Sequence, residues 1–240
     1  MKIQAEGMHF QALNDLVRQS GDSAITIDGC IGQRYIASGS SGKTIKIHGV
    51  PGNALGAYLN GTKIEVFANA QDAIGDTMND GVIMVHGRCG DAPGYAMRGG
   101  RIYIEGDAGY RAGIHMKAYQ QKLPVLVIGG AAGSFLGEYQ AGGLIIVLGL
   151  SSGGKPPIGY FCGTGMHGGK ILLRCDTPPE GLPKQVCAER ATPEALEEIR
   201  PYVEEFCRTF GKDADEIMDS TFYMLTPNSK TPYKQLYTNN

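Results

Sequence analysis

Residues 37–44 read ASGSSGKT, one residue away from a phosphate-binding loop. In the pattern G-x-x-x-x-G-K-[ST], Ala37 stands where the first glycine belongs, and Gly42, Lys43 and Thr44 follow correctly. Such a loop holds phosphate on backbone N–H groups at the start of a helix. Here Lys43 and Thr44 lead into TIKIHG, whose apolar alternation belongs to a strand. The segment therefore reads as a corner between strands. The same test disposes of GTGMHG (163–168), which matches G-x-G-x-x-G but runs into the strand-like KILLRC.

The remaining reactive side chains are dispersed. Six cysteines (Cys30, Cys89, Cys162, Cys175, Cys187 and Cys207) contain no C-x-x-C pair, so neither a zinc site nor an iron–sulfur cluster is expected on this chain. His48 and His86 occupy equivalent positions two repeats apart, about 10 Å in level, too far to share a metal. His115 and His167 fall in turns. No Ser-His-Asp arrangement and no carboxylate pair stands out. The polar turn residues Arg98, Arg111, His115, Lys117, Glu138, Tyr139 and His167 are candidates for contact with a partner, with no catalytic, cofactor or metal role assigned.

The elements that must position these residues are written in a repeat. Glycine supplies 36 of 240 residues, about twice its usual share. Eight short segments share the pattern apolar-x-apolar-x: ITIDG (25–29), IKIHG (45–49), IEVFA (64–68), IMVHG (83–87), IYIEG (102–106), VLVIG (125–129), IIVLG (145–149) and ILLRC (171–175). In the middle copies a G-x-x-G-x-x-x-G stretch and an apolar residue follow each strand. One strand per repeat with glycine corners predicts a mainly β chain: a right-handed parallel β-helix of about seven to eight coils. The first and third residues of each segment should face inward, including Val125/Val127. Leu59, Met78, Met97, Met116 and Met166 should form a second buried column. The other face of the strands changes from polar (Thr26/Asp28, Lys46/His48) to apolar (Leu126/Ile128, Ile146/Leu148). Something must cover that later strip, either the chain's own C-terminal helices or a partner. Ile128 and Leu148 are accordingly interface candidates.

The flanks differ from the repeats. Residues 1–22 contain an amphipathic stretch with Phe10, Leu13, Leu16 and Val17 at helical spacing and Gly21 as its stop, a cap for the glycine-rich body at 23–176. Residues 177–240 form an acidic, helical extension. Thr192 and Pro193 open its main helix, Pro201 should bend or interrupt it, and TPNSKTPYKQLYTNN should be extended, surface-bound or mobile. A net charge of −2 offers no attraction for nucleic acid or an anionic membrane. No apolar run is long enough to span a bilayer, and the first ten residues lack a signal-peptide core. A cytoplasmic protein is expected.

Five strings carry a specific resemblance: GDTMNDG (75–81), GYAMRGGRIYIEG (94–106), GYRAGIHMK (109–117), FLGEYQAGG (135–143) and GTGMHGG (163–169). Together, from about Lys2 to Cys175, they resemble the G-x-G-x-G domain at the C-terminal end of the large, glutamine-hydrolysing subunit of glutamate synthase, in the form of a separate chain. The resemblance implies a right-handed β-helix with a structural role. It also implies partners: a glutaminase-type amidotransferase subunit, and a subunit carrying FMN and an iron–sulfur cluster. The complex would make glutamate or N-methylglutamate, with no active site on this chain. Two alternatives are a scaffold like the C subunit of formylmethanofuran dehydrogenase and a stand-alone carbohydrate-active β-helix.

Overall fold

The computed structural model describes residues 1–228. In chain order its elements are β1 (Lys2–Gln4), α1 (Phe10–Gln19), β2 (Ala24–Ile31), β3 (Thr44–Val50), β4 (Asn60–Val66), β5 (Asp80–Val85), β6 (Arg101–Ile104), β7 (Val125–Ile128), β8 (Ala141–Val147), β9 (Gly168–Arg174), β10 (Val186–Arg190), α2 (Pro193–Phe210), α3 (Ala214–Met218) and β11 (Phe222–Pro227). Most of the terminal stretch expected to be extended, residues 229–240, lies outside the described residues.

The expected right-handed β-helix is corrected. The strands form one eleven-stranded sheet in the order β1-β2-β3-β4-β5-β6-β7-β8-β9-β11-β10. Pairing is parallel from β1 to β9, and β11 runs antiparallel between β9 and β10. The physical reason lies in the return segments. Each passes through positive φ at several residues, such as Ala73 (56°), Gly75 (66°) and Thr77 (50°). That backbone turns instead of extending. The returns therefore contribute turns and isolated bridges such as Ala70↔Cys89 and Cys89↔Ala108. Successive turns still stack: the N–H groups of Ala54, Ala73 and Ala92 donate to the carbonyls of Asp72, Asp91 and Tyr110, one repeat on. The C-terminal extension is also not purely helical, since it returns β10 and β11 to the sheet.

One face of the sheet packs against its own return segments. Ile45/Ile47, Ile64/Val66, Ile83/Val85, Ile102/Ile104, Ile145/Val147 and Ile171/Leu173 line it. Leu59, Met78, Met97, Met116 and Met166 face them from the turns, all fully buried. Each such side chain contributes about 1.5–3 kcal/mol by leaving water. The β7 assignment is corrected by one residue. Leu126 pairs with Ile102 and Ile145, and Ile128 with Ile104 and Val147, so Leu126 and Ile128 complete the inner ladder. Val125 and Val127 point the other way. VLVI is apolar at all four positions, so its periodicity cannot choose a face, and a one-residue slip exchanges the two.

The second face is covered by the chain's own C-terminal part. Tyr103, Val127, Ile146, Leu148 and Leu172 pack with Ile199, Val203, Phe206 and Phe210 of α2. Thr192 Oγ1 caps the helix by accepting from Ala195 N–H, and Gly211 ends it in the left-handed conformation. The helix runs unbroken through Pro201. The buried stripe on both sides of that exposed proline outweighs one missing N–H. Polar pegs fix the docking. Tyr103 Oη donates to Glu205 Oε2 at 2.5 Å, and Lys170 Nζ reaches Glu198 at 2.5 Å. Lys212 pairs with Glu105 at 3.1 Å. Arg101 Nε lies 3.0 Å from the same Glu205 oxygen but makes no directed hydrogen bond, so that contact is coulombic.

Three buried polar side chains serve irregular backbone. Gln33 binds Ile31 N–H and the Ala5 and Met8 carbonyls. Thr62 sits at the register shift in β4 and meets Ser40 Oγ at 2.9 Å. Gln140 takes the place of a methionine in the turn column, and its Nε2 donates to Gly142 and Gly143 carbonyls beside the register shift in β8. At the other end α1 buries Leu13 and Val17, while Leu16 is exposed. It stops at Ser20, one residue before the expected glycine.

Candidate functional site

The phosphate-loop look-alike leads into β3, as its sequence requires, and Lys43 Nζ is used inside the chain. It donates to the carbonyls of Ser20 (2.7 Å) and Asp22 (3.3 Å), tying down the end of α1. Likewise GTGMHG enters β9. His48 and His86 sandwich the ring of Phe67, at centroid distances of 4.8 and 5.0 Å, and His86 Nε2 lies 3.1 Å from Glu65 Oε1.

Among the described residues, no three His, Cys, Asp or Glu side chains converge as metal ligands. Burial pushes the Cys30, Cys175 and Cys207 thiols up to about 11 and Cys162 to about 12. Cys89 is raised by the same cause. Thiols this scattered do not converge on one iron–sulfur cluster.

The distinctive surface lies on the later turns. Each return segment holds two left-handed positions flanking a third, which is Ala37 in the first (between Tyr35 and Gly39) and glycine in the others. In three early turns the first of these is Ala54, Ala73 or Ala92; in the later turns it is Arg111 (φ 58°), Phe135 (63°) or Phe161 (62°). The second later position carries His115 (55°), Tyr139 (53°) or Gly165 (67°). Holding a bulky L-residue there costs about 1–2 kcal/mol. Because the turns stack at the strand spacing of ~4.8 Å, side chains in one column meet face to face. Arg111 lies over Phe135 at 4.7 Å, and Phe135 stacks on Phe161 at 5.0 Å. His115 stacks on Tyr139 at 5.2 Å and 10°, with Tyr95 edge-on to His115 at 5.9 Å. Arg111 Nε donates to Glu138 Oε2 at 3.3 Å and ties the two columns together. Tyr139 in turn roofs Gly165, where a Cβ would come within 2.4 Å of the ring.

The cluster is open to solvent. Tyr160 is 81% exposed, Phe161 and Tyr110 55%, and Tyr139 45%. Of the seven polar turn candidates, Arg111, His115, Glu138 and Tyr139 come together here. Arg98 and Lys117 lie exposed in the column beside His115 and Tyr139, one repeat apart. His167 is half-buried beyond them, and its backbone N–H donates to Gln140 O. Ile128 and Leu148 do not belong to this surface. Both are fully buried, Ile128 in the inner core and Leu148 under α2, so neither is available to a partner. Sequence reasoning missed Phe135, Tyr160 and Phe161. The signal was present in three aligned strings, GYRAG (109–113), GSFLG (133–137) and GYFCG (159–163), each with a large residue directly before x-G.

A mostly parallel sheet whose glycine-rich returns stack into side-chain ladders defines the class of fold. A subunit structure of the formyltransferase/hydrolase complex from Methylorubrum extorquens, solved with methylofuran, shares it at a TM-score of 0.66. The likeness covers 92% of this chain and 89% of that one at 17% identity. Residues 11–228 match the model of the GXGXG motif family, to which this chain belongs. It is 47% identical to the uncharacterized protein MJ1350 of Methanocaldococcus jannaschii, over 98% of this chain and 95% of that protein. No helix among the described residues is long and apolar enough to cross a membrane.

Proposed function

We propose that this chain is the non-catalytic assembly subunit of a multi-subunit group-transfer complex whose reacting centres lie on other chains. The observation that carries this reading is the exposed aromatic cluster on the later turns, built around backbone positions where three of the four early turns use alanine. Nothing among the described residues covers those rings from outside. The residues in it contain no nucleophile–base pair and no converging ligands, which suits contact better than catalysis.

Two kinds of complex are compatible with the chain. A formyl-transferring assembly is favoured by the likeness to a formyltransferase/hydrolase subunit, which runs over nearly the whole of both chains. A glutamate synthase-like assembly is favoured by the five strings that resemble its G-x-G-x-G domain and by the family match. In that case a glutaminase-type subunit and an FMN/iron–sulfur subunit would be the partners, and both cofactors would sit on them.

The test is gentle purification from the native host through a tag on this chain. Flavin and iron–sulfur absorption with glutamine-dependent glutamate formation would establish the second assembly. Formyl transfer, or molybdenum or tungsten by elemental analysis, would establish the first. Catalysis by the isolated chain would overturn the assembly role itself.

A further inference from the structure

The later-turn cluster has an outline specific enough to define what sits on it. We infer that it seats a segment of a different subunit that is apolar at its centre and acidic along one edge. The centre meets Tyr139, Tyr160 and Phe161, and the acidic edge meets Arg98 and Lys117. This rests on the assembly reading above and adds the surface and the chemistry of its partner.

Three observations carry it. First, the rings are already locked. Phe135 has Arg111 on one side and Phe161 on the other, and His115 has Tyr139 against one face and the edge of Tyr95 nearby. Side chains held before contact lose little freedom on binding, and Tyr and Arg are the residues that dominate interface energy.

Second, the stacking decides between partner classes. A nucleobase or a pyranose needs a free ring face on which to lie. Here Phe135 is covered on both faces and Tyr139 lies between His115 and the Gly165 backbone, so both offer edges outward, while Phe161 has one face against Phe135 and the tilted Tyr160 ring beside it. Ring edges and a tyrosine hydroxyl suit interdigitating protein side chains.

Third, the charge is one-sided. Arg98 and Lys117 are exposed, one repeat apart, and neither makes an ion pair among the described residues. The acid in the cluster, Glu138, is committed to Arg111. Two neighbouring cations left unpaired beside an apolar patch select for carboxylates opposite.

The experiment compares wild type with Phe161→Ala, Tyr139→Ala and the double reversal Arg98→Glu/Lys117→Glu, each tagged and expressed in the native host. Co-purifying subunits are quantified by mass spectrometry over a salt series, and thermal melts of each purified chain check that it folds. Ala73→Glu on an early turn serves as the control. Both alanine variants should lower retention of one specific subunit roughly tenfold or more with melts close to wild type. The charge reversal should weaken the same subunit and flatten its salt dependence. Full retention in the alanine variants, or equal loss in the control, would overturn the inference and leave the assembly role standing. Loss in the alanine variants with no effect of charge reversal would overturn the acidic edge. A wild-type chain that brings down only copies of itself would overturn both this inference and the assembly role.

Discussion

The early and later turns of this sheet share a backbone and differ in what they display. Residues 54, 73 and 92 take the same left-handed conformation as 111, 135 and 161 (φ 55–61° against 58–63°). Alanine meets that requirement at 54, 73 and 92, with a methyl group to spare. Arginine and two phenylalanines occupy the others, although left-handed backbone disfavours bulk and water disfavours exposed rings. The fold therefore sets the geometry and leaves the side chain open, and under the assembly role proposed above the later choices answer to a contact outside the chain. Two early residues depart from this contrast: Tyr35, at the first position of the earliest turn (φ 62°, 47% exposed), where its ring lies 6.1 Å from Phe10 of α1, and Tyr58, 55% exposed at a second position.

The contrast can be tested by comparing positions the fold needs with positions it does not. The largest effect is expected under α2. Leu148→Glu buries an unpaired carboxylate among Val203, Phe206 and their neighbours, and should cost about 4 kcal/mol or more, read as loss of a cooperative urea transition. Gly165→Ala comes next, at about 1–3 kcal/mol, because its Cβ would strike the Tyr139 ring. In a Tyr139→Ala background that cost should fall to about 1 kcal/mol, so a double-mutant cycle gives the coupling directly.

Tyr103→Phe should cost about 1–2 kcal/mol and also change the alkaline limb of stability. Burial, reinforced by the hydrogen bond to Glu205 and that residue's charge, raises the Tyr103 phenol. Stability contributed by the protonated phenol is complete below the unfolded value of about 10 and is lost as pH climbs beyond it. The phenylalanine variant should lose less stability than wild type between pH 10 and 11.5. The smallest effect is expected from Phe161→Ala, within about 1 kcal/mol, where relief of backbone strain offsets a lost ring stack. A drop of several kcal/mol there would make the cluster structural and dissolve the contrast between the turns.

Much of this was legible in the residues. Alternating Ile and Val at 45/47, 64/66, 83/85 and 102/104 located strands and their buried face, because glycine-rich returns bracket each one. The methionine column was legible for the same reason. β7 was not, since all four of its residues are apolar. Nor were β10 and β11, whose short segments acquire a face only when β11 pairs with β9 and β10 pairs with β11. The sheet itself was misjudged because spacing reveals that strands repeat, but not whether the segments between them also extend. Around the site, the polar members Arg111, His115, Glu138 and Tyr139 stood out by type. Phe135 and Phe161 were not singled out, because their placement depends on a φ value that the residue types do not announce.

The insertion of β11 between β9 and β10 has a consequence for synthesis. From β1 to β9, each new strand finds its neighbour already made, so the sheet can lengthen as the chain leaves the ribosome. β10 breaks that order. It emerges with no neighbour available, and its place exists only after α2, α3 and β11 have followed. Residues 186–221 must wait, with the apolar stripe of α2 as their one early foothold on the sheet. A nascent chain arrested before Phe222 would carry nine paired strands and one idle one, and the final step of folding would be the closing of a gap that the molecule leaves open until its last strand arrives.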